Sequence, residues 1–255
     1  MTNSKNILVA PLNWGLGHAT RCIPIIKALI EHDFTPLIAS DGEALALLQK
    51  EFPNLKSIEL PSYNIRYTKH GAFLKWKFIL NSPKLLYAVY QERQLIAALI
   101  KQHNISGIIS DNRFGVRHHS ITSVYITHQV NVLSGYSTKL NSWLHQCIIA
   151  KFDECWIPDT PNNSALSGKL GQPNNKTLNL KHIGILSRFK KTEAAICYDY
   201  LILLSGPEPQ RTILERKLLK EFQNTSKTTL LIQGKISSEQ TIRTLKNITV
   251  YNFMT

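Results

Sequence analysis

The chain has 255 residues, 43% of them hydrophobic, enough to bury a sizeable core as one large domain or two medium ones. A formal charge of +13 favours anionic partners such as phosphates or acidic lipid headgroups; with no zinc-finger spacing, RNP-like aromatic string or basic zipper, no nucleic-acid partner is expected. Apolar runs such as Leu95 to Ile100 fall far short of a bilayer span, the polar N-terminus lacks the shape of a signal peptide, and the 4 cysteines are scattered without metal-ligand spacing, so a cytoplasmic protein with reduced thiols and no zinc site is expected.

Apolar runs of strand length alternate with stretches of helical period, which predicts an α/β fold with parallel sheets covered by helices. In chain order the first half predicts strands at Asn6 to Pro11, Thr35 to Ala39, Ser57 to Leu60, Ser106 to Ser110, Ser123 to Thr127 and Glu154 to Ile157. Helices are predicted at His18 to Glu31, Gly42 to Glu51, Pro83 to His103 and Thr138 to Lys151. From Asp159 to Asn179 the composition turns to Asn, Pro, Gly and Ser, which predicts a surface loop before a crossover. After His182 to Lys191 a second α/β series begins: strand Tyr200 to Leu204, helix from about Gln210 to Phe222, strand Thr229 to Gln233, helix Ser238 to Leu245 and strand Thr249 to Phe253. The expected division is therefore residues 1–185 and a partial second domain at 186–255, in a chain that stops after the third strand of its second sheet.

Chemistry concentrates where predicted strands end. In KNILVAPLNWGLGHATR, Lys5 to Arg21, a strand runs into Gly15 and Gly17 and then a helix at His18, so backbone amides can face an anion or polar sugar. It is not the full dinucleotide fingerprint: Thr20 stands where a third glycine would fall, and Asp41 only loosely meets the expected acid. His18 either takes a proton from a substrate hydroxyl near neutral pH or merely caps the helix; the local residues leave both readings open.

SDNRFGVRHH, Ser110 to His119, puts Asp111 at another strand end, with Arg113, Arg117, His118 and His119 forming either a positive edge or a solvated basic loop. Thr127, His128 and Gln129 crown the next strand, so three polar clusters are expected to converge on one crevice. In the second half, LLSGPEPQR, Leu203 to Arg211, repeats strand, turn and helix; Gly206 permits a sharp turn, and Gln210 with Arg211 either meets a phosphate or simply starts the helix. The aromatic and basic segment Tyr67 to Leu80 either settles on an anionic membrane surface or packs under its loop.

On NWGLGHATR, SDNRFG, YITHQ, IGILSRF and LLSGPEPQR, the chain resembles the GT-B glycosyltransferases, within them the branch similar to the lipid-linked peptidoglycan N-acetylglucosaminyltransferase. The resemblance implies two facing Rossmann-like doubly wound domains, the second incomplete here, transferring a hexose or N-acetylhexosamine from a nucleotide-diphosphate sugar to an acceptor hydroxyl without metal or other cofactor. It implies His18 or Asp111 as base, and Asn13, Gly15, Gly17, Arg113, Thr127, His128 and Gln129 beside a sugar or lipid-linked acceptor. Ser205, Gly206, Gln210 and Arg211 are then expected at the donor diphosphate, while the family's main donor-binding stretch would lie beyond Thr255 and leave this form weakened or inactive. The alternatives are a sugar-nucleotide epimerase, which carries further cleft carboxylates, and a noncatalytic remnant or binding module.

Overall fold

The computed structural model of the chain describes residues 5–63, 74–161, 165–172, 177–189, 191–193, 195–206, 208–235 and 239–254, with 74–82 as backbone only. The contacts divide the chain into two compact units. One comprises Met1–Asn13, Gly17–Tyr63 and Pro83–Arg188; the other comprises Trp14–Leu16, Asn64–Ser82 and Phe189–Thr255.

The first unit is built on strands β1 (Asn6–Pro11), β2 (Thr35–Ser40), β3 (Ser57–Glu59), β4 (Ile105–Asp111), β5 (Thr122–Ile126), β6 (Glu154–Ile157) and β7 (Leu180–His182). Its helices are α1 (Leu16–Glu31) from Gly17 on, α2 (Gly42–Glu51), α3 (Leu74–His103) from Pro83 on and α4 (Thr138–Ile149). The seven strands pair in the order β3-β2-β1-β4-β5-β6-β7, and every pairing is parallel. Such a sheet must be covered on both faces, and the alternation within β1 shows how: Leu8 and Ala10 pack with Ile96 and Leu99 of α3, whereas Val9 packs with Ile23 and Ile26 of α1 and Leu48 of α2. The chain leaves β1 for β2 on one side and returns to β4 on the other, so the strand order reverses between β1 and β4. Ligands of doubly wound folds settle beyond the carboxyl ends of the strands at such a reversal.

The second unit contains β8 (Tyr200–Leu203), α5 (Gln210–Phe222), β9 (Thr229–Ile232), β10 (Ile242–Leu245) and β11 (Ile248–Tyr251), in the sheet order β10-β11-β9-β8. Leu231, Ile248 and Val250 form its core with Leu218, Leu219 and Phe222 of α5, while Leu201 and Leu203 on the other face of β8 stay exposed.

Two predicted elements are corrected, and one strand is added. The predicted helix Ser238 to Leu245 is instead, over 242–245, the strand β10, antiparallel to β11, so the second sheet is mixed and has four strands among the described residues. The physical reason is the turn: Lys246 takes a left-handed φ of 54°, and Asn247 donates to the Phe222 and Lys227 carbonyls, reversing the chain in two residues. Helix α3 begins nine residues before the predicted start at Pro83, because a proline inside a helix forfeits one hydrogen bond without obliging it to end. Finally, β7 lies at the junction between the predicted loop Asp159 to Asn179 and the segment His182 to Lys191, a three-residue edge strand too short and polar to show as an apolar run. Side chains of the aromatic and basic segment Tyr67 to Leu80 lie outside the described residues. Among the described residues no helix is long and apolar enough to cross a membrane.

Candidate active site

Register brings the site together. Asp111, the last residue of β4, lies level with Pro11 of β1 and Ile126 of β5, so the three strands end side by side. Gly15 adopts a φ of 79°, which turns the chain from β1 into α1 without Cβ strain; Gly17 is already inside the helix. His18 and Arg21 then stand three residues apart on one face of α1. His128 follows β5 by two residues.

His18 and Arg21 meet the Asp111 carboxylate, and His128 joins them through Arg21. His18 Nδ1 lies 2.9 Å from Asp111 Oδ1. Arg21 forks onto the same carboxylate, Nε to Oδ2 and Nη2 to Oδ1. Asn112 Nδ2 donates to Oδ1 at 3.0 Å, and the buried Cys22 thiol lies 3.9 Å from Oδ2. Arg21 Nη1 lies 2.9 Å from His128 Nδ1. Asp111 is fully buried, and burial alone would raise its pKa; the Arg21 charge, followed by His18, outweighs burial and lowers it to about 2. Desolvation, then the Arg21 and His18 charges, lowers His128 below the usual imidazole range. His18 keeps 14% of its side-chain surface exposed, so the ring spans the buried carboxylate and the solvent.

The other expected residues divide. Asn13 faces inward, donating to Asp41 Oδ2 and accepting the Ala44 amide, each at 3.3 Å, at the start of α2. Thr127 is buried, and its hydroxyl accepts the Gln129 amide at 3.1 Å. Arg113 is corrected outright: it is wholly buried, giving Nε to Glu92 of α3 at 2.7 Å, Nη1 to Asp41 at 2.6 Å and Nη2 to the Pro61 carbonyl. All three guanidinium nitrogens are engaged and the side chain presents no surface to an acceptor, and Asp41 is engaged by Arg113. The cluster holds the loop beyond Asp111 in place, since Glu92 and Tyr63 also take the Gly115 and Phe114 amides. His118 and His119 stack at 4.4 Å just before β5, at the opposite end of the sheet from His18. Among the described residues no group of three or more His, Cys, Asp and Glu side chains is placed to hold a metal.

In the second unit Ser205, Gly206 and Gln210 are exposed around the turn before α5, and Gly206 takes a φ of 104°. Arg211 is corrected: it is buried and its guanidinium is spent on Glu208, on Glu215 at 2.8 Å and on the Gln233 carbonyl. A diphosphate would have to displace two carboxylates to reach it.

Sequence reasoning missed Arg21. Its signal was present, because a cation three residues after a candidate histidine on the same helix must share that histidine's face.

A scan of protein-family models finds no match, and a search of curated proteins finds no similar sequence. Among solved structures the chain is similar to UGT2 of Phytolacca americana complexed with UDP-2-fluoro-glucose and pterostilbene, with 11% identity over 91% of this chain and 66% of that one and a TM-score of 0.56. It is also similar to a UDP-glucosyltransferase from Polygonum tinctorium (12% identity, 91% and 66% covered, TM-score 0.54). A UDP-N-acetylglucosamine 2-epimerase matches at 10% identity over 90% of this chain and 64% of that one, with a TM-score of 0.50. These likenesses establish a fold of the GT-B, Rossmann-like type, as the sequence resemblance implied. The chain spans about two thirds of the length of these structures.

Proposed function

We propose that the protein is a glycosyltransferase that moves a hexose or N-acetylhexosamine from a nucleotide-diphosphate sugar to an acceptor hydroxyl, with His18 as the general base. The observation that carries this reading is the His18–Asp111 contact at the point where the strand order reverses. A base must lie within reach of the hydroxyl proton and be oriented by a third group, and Asp111 supplies that orientation at Nδ1. The hydroxyl proton passes to His18 Nε2, the acceptor oxygen bonds to the anomeric carbon, and the bond from that carbon to the diphosphate breaks with its electron pair leaving on the diphosphate. Asp111 then offsets the imidazolium charge, an interaction stronger after proton transfer than before it.

The acceptor is assigned to residues 1–185 and the donor to residues 186–255, where the exposed Ser205, Gly206 and Gln210 remain the candidates for the diphosphate. The reaction is placed in the cytoplasm, where the basic chain can also touch an anionic membrane.

The likeness to an epimerase keeps a second reading in view. The two part on one requirement, because transfer consumes an acceptor whereas epimerisation does not. Incubation with UDP-, GDP- and dTDP-sugars, with and without a panel of sugar and lipid-linked alcohols, measures this directly. Transfer predicts nucleoside diphosphate released in proportion to acceptor. Interconversion of the sugar without acceptor would establish the epimerase, and no change in any nucleotide sugar would contradict both.

A further inference from the structure

The structure assigns Asn112 as a positioning residue that fixes the Asp111 carboxylate, with the buried Tyr125 hydroxyl as its anchor. This deepens the transferase reading and rests on it. Asp111 and Tyr125 belong to opposite faces of the first sheet. Asp111 shares by alternation the face of Ile109, which packs with Ile126 and with Ile25 of α1, whereas Tyr125 packs on the other face with Phe152 and with Ile149 of α4. Neighbours along a strand alternate faces, so joining the two takes a residue beyond the strand end. Asn112 is that residue, and its φ of 58° puts it in the left-handed region that asparagine enters more readily than most residues with a side chain.

Chemistry fixes which way the amide points. Asn112 Nδ2 lies 3.0 Å from Asp111 Oδ1, and an ionised carboxylate only receives, so the amide nitrogen must face it. The amide oxygen then faces the Tyr125 hydroxyl at 2.9 Å. That oxygen can only receive, so the one proton of the hydroxyl goes to it. Desolvation, then the Asp111 charge, pushes the Tyr125 pKa well above the usual range, which keeps the donor protonated. The anchor itself is held fast: Tyr125 is fully buried, with ring centroids of Phe152 at 4.9 Å, His145 at 5.8 Å and Phe114 at 6.5 Å, and His145 Nε2 lies 3.1 Å from its hydroxyl oxygen.

The carboxylate is therefore supported from two sides. His18 and Arg21 reach it from α1, whereas Asn112 reaches Oδ1 from the core of the sheet. Oδ1 is the oxygen beside His18 Nδ1, so the amide keeps it aimed at the ring while the side chains of α1 engage substrate. Two substitutions separate this role from that of the backbone. Asn112→Gly keeps the left-handed turn and removes the amide, and Asn112→Asp keeps the shape but, ionised, has no hydrogen to give Asp111.

The test has two readouts. Without substrate, nitrogen-15 relaxation of the Asn112 side-chain amide reads its mobility, the signal being identified by its loss in Asn112→Gly. The expected order parameter is that of rigid backbone, about 0.85, falling below about 0.6 in Tyr125→Phe. A mobile amide in the wild type overturns the proposal, and an amide still rigid in Tyr125→Phe removes Tyr125 from the role. With UDP-, GDP- and dTDP-sugars and the panel of sugar and lipid-linked alcohols, release of nucleoside diphosphate by Asn112→Gly should show kcat lowered about tenfold, with KM for the alcohol and the melting temperature close to the wild type. Unchanged kcat in a folded Asn112→Gly protein, or a loss confined to KM, overturns the proposal. If Asn112→Gly does not fold, Asn112→Asp carries the same expectation. A rigid amide without sugar transfer would sink the transferase reading alone, and transfer that Asn112→Gly leaves at full rate would sink this inference alone.

Discussion

Replacing Asp111 with asparagine keeps the shape and removes the charge on which the site is assembled. The carboxylate is fully buried and takes donors from His18, Arg21 and Asn112, while Arg21 is itself largely enclosed, with 13% of its side chain exposed. Breaking a buried ion pair by removing one partner costs about 3–5 kcal/mol, and because Arg21 keeps some contact with water the lower end, about 3 kcal/mol, is expected. Linkage gives a second route to the same size. A carboxyl at about 2 when folded, against an ordinary value of about 3.9, contributes roughly 2.5 kcal/mol.

The sign follows from the direction of the shift: a folded pKa below the unfolded one means stability fully present above about pH 4 and lost as pH falls towards 2. Urea denaturation of the wild type and of Asp111→Asn from pH 7 to pH 3 reads both quantities. The gap should be about 3 kcal/mol at neutral pH, constant down to about pH 5 and reduced by about half at pH 3. A gap below about 1 kcal/mol at pH 7, or one that does not narrow in acid, would refute an ionised Asp111 at the centre of the network.

Arg113→Met should destabilise by about 3–5 kcal/mol in the same assay, because it strands the buried Glu92 and Asp41 carboxylates, and a cost under 1 kcal/mol would deny that the cluster is ionic. Gly115→Ala should lower the melting temperature by several degrees, since an added Cβ would lie 2.5 Å from the Val89 carbonyl and 2.7 Å from Glu92 Cβ, both fixed on α3; an unchanged melt would mean that the loop can move. Asp159, whose pKa is lowered first by the Ser167 hydroxyl and then by backbone amides, anchors the loop after β6, so in Asp159→Ala the Leu166 and Ser167 amides should exchange at least about tenfold faster. Wild-type protection there should also weaken as pH falls through the acid range, because a lowered folded pKa loses its contribution on protonation.

The sequence shows the first sheet well because its inner strands are runs buried on both faces, such as ILVA in β1 and IIS in β4, whose length and composition mark them without any partner. It shows the rim equally well, since any polar residue directly after such a run must emerge at the carboxyl edge; His18, Asp111 and His128 were legible for that reason. Partners distant in sequence were not legible. Arg113 reads as a surface cation because Glu92 and Asp41 lie 21 and 72 residues away, and only folded α3 and β2 bring them within reach. Arg211 could have been read more closely, because Glu215 lies four residues after it on the same face of α5 and Glu208 three residues before it in the turn that precedes the helix. The strand β10 was read as a helix because four exposed edge residues bury too little to impose a period.

The central claim is that a histidine oriented by Asp111 removes the acceptor proton, and the rate of sugar transfer by His18→Ala, set beside its melting temperature, tests that most directly. Loss of a positioned general base should reduce turnover by about a hundredfold or more while the melting temperature stays close to that of the wild type, since His18 reaches the surface and fills no core cavity. Turnover equal to the wild type in a folded His18→Ala protein would contradict the account.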